Sequence, residues 1–177
     1  MKLSFVRDGK TFIIRPGSFG DAIQVTELIN LCSQALLGKD EISPGELEND
    51  WKLEGFDPQK DTLLVLQDAQ LVGYADIWGV IPPFIHYDAL VRVHTNFRVM
   101  GLGWLLNVWA ETRAREFMGE ASEGLRVFLS SYVNAKDLAA VQLLNEFGST
   151  IERYSQVMER DLMGNIAKPD LPPGYVI

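Results

Sequence analysis

The 177-residue chain holds a single cysteine, Cys32, so no disulfide can form within it. A lone thiol suits a reducing compartment, and a cytoplasmic protein is the expectation. Histidine is almost as scarce, and His86 and His94 stand too far apart in pattern to suggest a metal pair, so no metal is expected. No stretch approaches the ~18 uninterrupted apolar residues of a membrane span, and Met1 to Lys10 lacks the apolar run of a signal peptide, so neither is expected. Positive charge is also short: 16 Lys and Arg against 24 Asp and Glu leave a formal charge of −8. Nucleic-acid binders usually present a broad basic face, so no such partner is expected, while a small anionic ligand at one local site stays compatible. Hydrophobic residues make up 47% of a chain of single-domain length, enough to bury a core without staples.

The apolar pattern divides the chain. Thr11 to Arg15 is β-branched and aromatic and runs into Pro16-Gly17, a strand closed by a turn; Leu3 to Val6 precedes it across Asp8-Gly9, a hairpin signal that adds an edge strand. Ala22, Val25, Leu28, Ile29, Cys32 and Leu36 recur at helical spacing up to Gly38. Ser43, Pro44 and Glu46 supply an N-cap, a first-turn proline and a capping glutamate for a second helix running to about Gly55. From Asp61 the period changes. Thr62 to Gln67 and Leu71 to Trp78 read as an antiparallel hairpin, Ile81-Pro82-Pro83-Phe84 breaks the sheet, and Asp88 to Thr95 starts another strand. A long helix follows with Leu102, Leu106, Trp109 and Ala110 on one stripe, then a strand Leu125 to Val133, a helix Lys136 to Phe147 and a last strand Thr150 to Leu162. The class is α/β (α+β), with helices flanking a mixed sheet. Residues 1–163 form one domain; 164–177, with three of the chain's eight prolines, read as a linker ending in the start of a strand at Tyr175-Val176-Ile177.

The chemically informative stretch is Arg98-Val99-Met100-Gly101-Leu102-Gly103-Trp104, between a strand and the long helix. Two glycines let backbone approach a ligand closely, and a helix start favours an anion, typically phosphate. Leu106 stands where a dinucleotide fingerprint needs Gly or Ala, and Trp104-Leu105 follows Gly103 where a Walker loop needs Lys-Ser/Thr, so both nucleotide motifs are excluded. On spacing alone, a plain tight turn is the favoured reading.

Arg98-x-x-Gly101-x-Gly103 resembles the pyrophosphate loop of the GNAT superfamily of N-acetyltransferases, and the order of elements from Thr11 to Leu162 resembles that family over nearly the whole chain. The resemblance implies a mostly antiparallel central sheet whose fourth and fifth strands splay apart, with acetyl-CoA as cosubstrate and a small-molecule primary amine as acceptor. It places the pantetheine arm along Leu90, Val91, Arg92 and Val93 of the fourth strand. Pyrophosphate falls on Val99, Met100, Gly101, Leu102, Gly103 and Trp104 behind Arg98, and Asn134 and Ala139 lie along the arm's other side.

The chain departs from the family at named positions. Val99 and Met100 replace the usual Gly and Arg, and Leu144 stands where many members carry a tyrosine general acid. Leucine cannot donate a proton, which leaves Tyr132 as the nearest replacement acid and Asp76 and Asp88 as candidate bases. Trp51, Phe56, Tyr74 and Trp78 read either as an acceptor pocket or as core, and Cys32 as a buried small hydrophobe. Leu171 to Ile177 resembles the opening Phe12-Ile13-Ile14-Arg15-Pro16, which implies one half of a tandem GNAT protein of the mycothiol synthase type. A second GNAT domain or a homodimer is then the expected protein partner.

Overall fold

The computed structural model describes residues 3–43, 45–79, 82–121, 124–158, 160–161, 163–164 and 172–174. Pro44, Ile81 and Leu162, most of the tail and the strand start at Tyr175 lie outside them. In chain order the elements are β1 (Leu3–Arg7), β2 (Lys10–Arg15), α1 (Ala22–Leu37), α2 (Glu46–Asp50), α3 (Pro58–Asp61), β3 (Thr62–Gln67), β4 (Gln70–Trp78), β5 (His86–Val93), α4 (Leu102–Phe117), β6 (Phe128–Ser131) and α5 (Leu138–Glu146). The sheet order follows the sequence from β1 to β6, antiparallel throughout except for β5 beside β6.

Strand alternation sorts the side chains onto two faces. On one, α1 and α2 bury Val25, Leu28, Ile29, Leu47 and Trp51 against Leu64 and Tyr74. On the other, α4 brings Leu102 and Leu106 onto Phe12, Val65, Val72 and Ala75. Covered on both faces, β4 is buried continuously from Leu71 to Ile77, a pattern that a one-sided strand cannot show. Trp51 and Tyr74 are core, and Phe56 stacks on Trp78 at 4.0 Å, so these four aromatics are packing residues.

Several boundaries moved. Ser43 N and Oγ both donate to Glu46 Oε2, but the residue that precedes α2 is Gly45, in the left-handed region and with no side-chain cap, so Ser43 is not the N-cap expected of it, and α2 ends after five residues with turns following. The short α3, capped by Asp57 accepting from Gln59 N, was legible as Asp-Pro but not read as a helix. β6 is four residues long, and α5 starts only at Leu138 because Asp137, accepting from Ala140 N, caps it there. The expected strand over 150–162 is not formed among its described residues, which are exposed. Ile151, Tyr154 and Val157 recur every third residue, so an extended chain cannot gather them on one face.

Candidate functional site

The sheet opens beside β5. Pairing of β5 with β6 runs from His86 opposite Phe128 to Ala89 opposite Ser131, where β6 ends. β5 continues to Val93, so its far half has β4 on one side and no strand on the other. This is the splay expected between the fourth and fifth strands, which are β5 and β6 once the N-terminal edge strand is counted. His94 N donates to Val72 O at 2.9 Å, which fixes the even-numbered backbone groups toward β4 and turns those of Val91 and Val93 to the open edge. Their carbonyls have partners: Arg92 Nη1 donates to Val91 O at 3.1 Å and Cys32 Sγ to Val93 O at 3.4 Å. Arg92 also reaches Glu41 Oε1 at 2.6 Å, tying the loop after α1 to the open edge. Burial pushes the Cys32 thiol up, so it serves as a neutral donor.

Below the opening the chain turns into α4. Val99 has φ +60° with a side chain left fully in solvent, and Gly101 has φ +75° as the residue before the helix. A β-branched residue in the left-handed region is a strained outlier, and here it occupies the place of the family's glycine. Gly101 has no side chain to cap α4, whereas Asp57 and Asp137 cap α3 and α5; the first amides of α4 therefore keep their donor capacity. Gly103 is needed for a different reason. A methyl group there would stand 2.9 Å from Leu143 Cδ1, so its absence lets α5 close on α4. Trp104 meets Phe147 edge to face at 5.0 Å and holds the same contact.

Arg98, expected at the anion, is committed to protein: its Nη1 and Nη2 lie 3.2 and 2.9 Å from the Asp137 carboxylate. It fastens the loop to the start of α5 and, with Thr95, Ala35 and Leu36, lines a cavity of about 200 Å³ at the mouth of the opening. Asn134 forms a turn, its Oδ1 accepting from Lys136 N, and Ala139 is exposed on α5. Leu144 is half-buried and offers no proton at the family's tyrosine position.

The three acid–base candidates lie in unlike surroundings. Asp76 is 1% exposed, accepting from Tyr74 Oη at 2.6 Å and Leu90 N at 3.3 Å. Burial raises its carboxyl to about 6 and holds the Tyr74 hydroxyl well above its ordinary value. Tyr132 is 54% exposed past the end of β6, its hydroxyl accepting from Arg153. Asp88 is half-exposed opposite Ser130, one residue before the last paired step at Ala89, and lies 3.1 Å from His86 Nε2, which also meets Ser130 Oγ at 3.0 Å. His86 was missed as a partner for Asp88. The signal was its spacing of two, which places both side chains on one face of a strand. Among the described residues no group of three or more His, Cys, Asp or Glu is arranged for a metal, and no helix is long and apolar enough to cross a membrane.

The raised Asp76 carboxyl has a measurable consequence. Its folded value near 6 lies above the ordinary 3.8, so it favours folding at low pH, and that contribution is lost as pH rises through 6. About two pH units correspond to roughly 3 kcal/mol. Urea unfolding of wild type and Asp76→Asn should therefore diverge by about that amount between about pH 3 and about pH 8, in favour of the variant at the higher pH. A difference independent of pH would refute the perturbation.

This architecture is that of the GNAT acetyltransferases. A GCN5-related N-acetyltransferase from Sphaerobacter thermophilus superposes with TM-score 0.69 at 29% identity, over 77% of this chain and 42% of that one. The chain thus spans less than half the length of that protein. The protein yncA from Salmonella typhimurium, solved with its cofactor acetyl-CoA, gives 0.62 at 19% identity over 80% and 81% of the two chains. An acetyltransferase of the GNAT family from Streptococcus pneumoniae gives 0.64 at 21% over 85% and 93%. No protein-family model and no curated protein sequence matches the chain.

Proposed function

We propose that the chain is an acetyl-CoA-dependent N-acetyltransferase that moves an acetyl group to a primary amine of a small molecule by direct attack. The observation that carries this reading is the open edge of β5 leading to the uncapped start of α4. The fit at the phosphate end rests on the uncapped amides of Leu102 to Trp104, which are donors, while the Arg7 guanidinium lies over Gly101 and Leu143 packs against Gly103. Along the arm, the open-edge groups of Val91 and Val93 offer strand-like pairing once Arg92 and Cys32 give up the carbonyls they now hold. Acetyl-CoA supplies the activated acetyl thioester. The chain supplies alignment, which is worth more here than acid–base work because no group stands ready as acid at Leu144. Asp88 with His86 is the proton acceptor for the amine, since the pair is reachable at the head of the opening whereas Asp76 is sealed.

A second reading, favoured by the 42% coverage of the Sphaerobacter protein and by Leu144, is one acetyl-CoA-binding half of a tandem GNAT protein with little turnover of its own. Titration calorimetry with acetyl-CoA followed by an amine and polyamine screen separates the readings. Binding with turnover is expected for the enzyme, and binding without turnover for the half-protein. No heat at millimolar acetyl-CoA would sink both.

A further inference from the structure

The hairpin of β1 and β2 carries a feature that the acetyl-transfer reading does not use. Phe5 faces Phe12 across the pair, and Arg7 faces Lys10 two residues nearer the turn. Alternation puts all four side chains on the face packed toward α4. The phenyl rings enter the core there, stacked at 5.0 Å. The two cations, beyond the core's edge, lie over the loop that leads into α4. A methyl group on Gly101 would overlap Arg7 Nη1 and come within 3.3 Å of its Cζ, so the guanidinium lies directly over that glycine. Lys10 Nζ stands 4.8 Å from the centre of the Phe97 ring, one residue before Arg98.

Two like charges directly opposite in a strand pair repel. Arg15, Arg92, Arg98 and Arg113 are each matched by a carboxylate, whereas among the described residues Arg7 and Lys10, like Arg126, Lys136 and Arg153, enter no ion pair. The loop itself has lost its cation, with Met100 in place of the family's arginine and Arg98 spent on Asp137. An anion held over Gly101 would relieve the repulsion and restore the balance.

We propose that Arg7, supported by Lys10, is the cationic contact for the pyrophosphate of acetyl-CoA, supplied from the N-terminal hairpin in place of the loop's own missing arginine. The assignment rests on the acetyl-CoA reading above. Because Arg7 is on an exposed edge strand, its loss leaves the core intact.

The test is titration calorimetry of the full chain, as wild type, Arg7→Gln, Arg7→Lys and Lys10→Gln, with acetyl-CoA, acetyl-3′-dephospho-CoA and S-acetylpantetheine. Losing a charge-assisted phosphate contact should weaken Arg7→Gln about tenfold for both CoA forms. Arg7→Lys should recover part of the loss, Lys10→Gln should lose less, and the wild-type advantage should shrink with added salt. Binding of S-acetylpantetheine, which has no pyrophosphate, should be unchanged. Equal affinity of Arg7→Gln and wild type for acetyl-CoA would overturn the proposal, as would an equal loss for S-acetylpantetheine. A loss that disappears with the 3′-dephospho form would overturn the pyrophosphate assignment in favour of the 3′-phosphate. Failure of the wild type to bind acetyl-CoA would remove the acetyl-CoA reading itself, and this contact with it.

Discussion

Gly101→Val should weaken acetyl-CoA binding by roughly 30- to 150-fold, the loss expected when about 2–3 kcal/mol of backbone strain falls on the binding loop. The residue holds φ +75°, and the strained Val99 stands two residues before it, so the turn into α4 has no slack for a second β-branched residue. The new side chain would also displace the Arg7 guanidinium. To escape the strain the loop must rotate, which moves the first amides of α4 away from the anion they would bind. Calorimetry with acetyl-CoA reads the effect, and a thermal melt checks that the fold survives. An affinity within about threefold of wild type would refute the loop's assignment.

The second large effect concerns the frame that holds α4 against the sheet. Asp61, at the end of α3, accepts from Arg113 Nε and Nη2 at 3.1 and 2.8 Å and from Asp57 N at 2.8 Å, with its side chain only 5% exposed. Arg113 Cζ stands over the Phe117 ring, 4.1 Å from its centre. Asp61→Ala would leave a largely buried guanidinium without its main partner and a backbone amide without an acceptor, a loss of about 3–5 kcal/mol. Glu116 Oε2, 2.6 Å from Arg113 Nη1, keeps the value toward the lower end. In urea unfolding the double variant Asp61→Ala/Arg113→Leu should regain part of the loss, because the stranded charge goes too. A single variant within about 1 kcal/mol of wild type would show that the pair is not structural.

The residues that misled are as informative as those that did not. For Trp51 and Tyr74 core packing was the safer reading and the structure agrees, although no local property of an aromatic separates core from pocket and it is the covering α1 and α2 that decide it. Thr150 to Leu162 has β-forming residues, but β-propensity without alternation gives a strand no face to bury. Asp76 and Asp88 share the α1 side of the sheet and were indistinguishable as candidates. Their contrast arises because β4 is central and covered whereas the pair at Asp88 borders the opening.

The sequence alone determined α1, α4, the strands β1 to β5 and the turn into α4. Hydrophobic period sets α1, α4 and the strands through interactions within a few residues, and Gly101-x-Gly103 marks a close approach through a backbone property that survives in any context. Tertiary structure alone decided what stands beside that turn. Arg98 was free to meet an anion until Asp137 came within reach, and Arg7, ninety-four residues from Gly101, is brought over it only by pairing through the sheet. Charges act through space and not along the chain, so the electrostatics of this site belong to the fold.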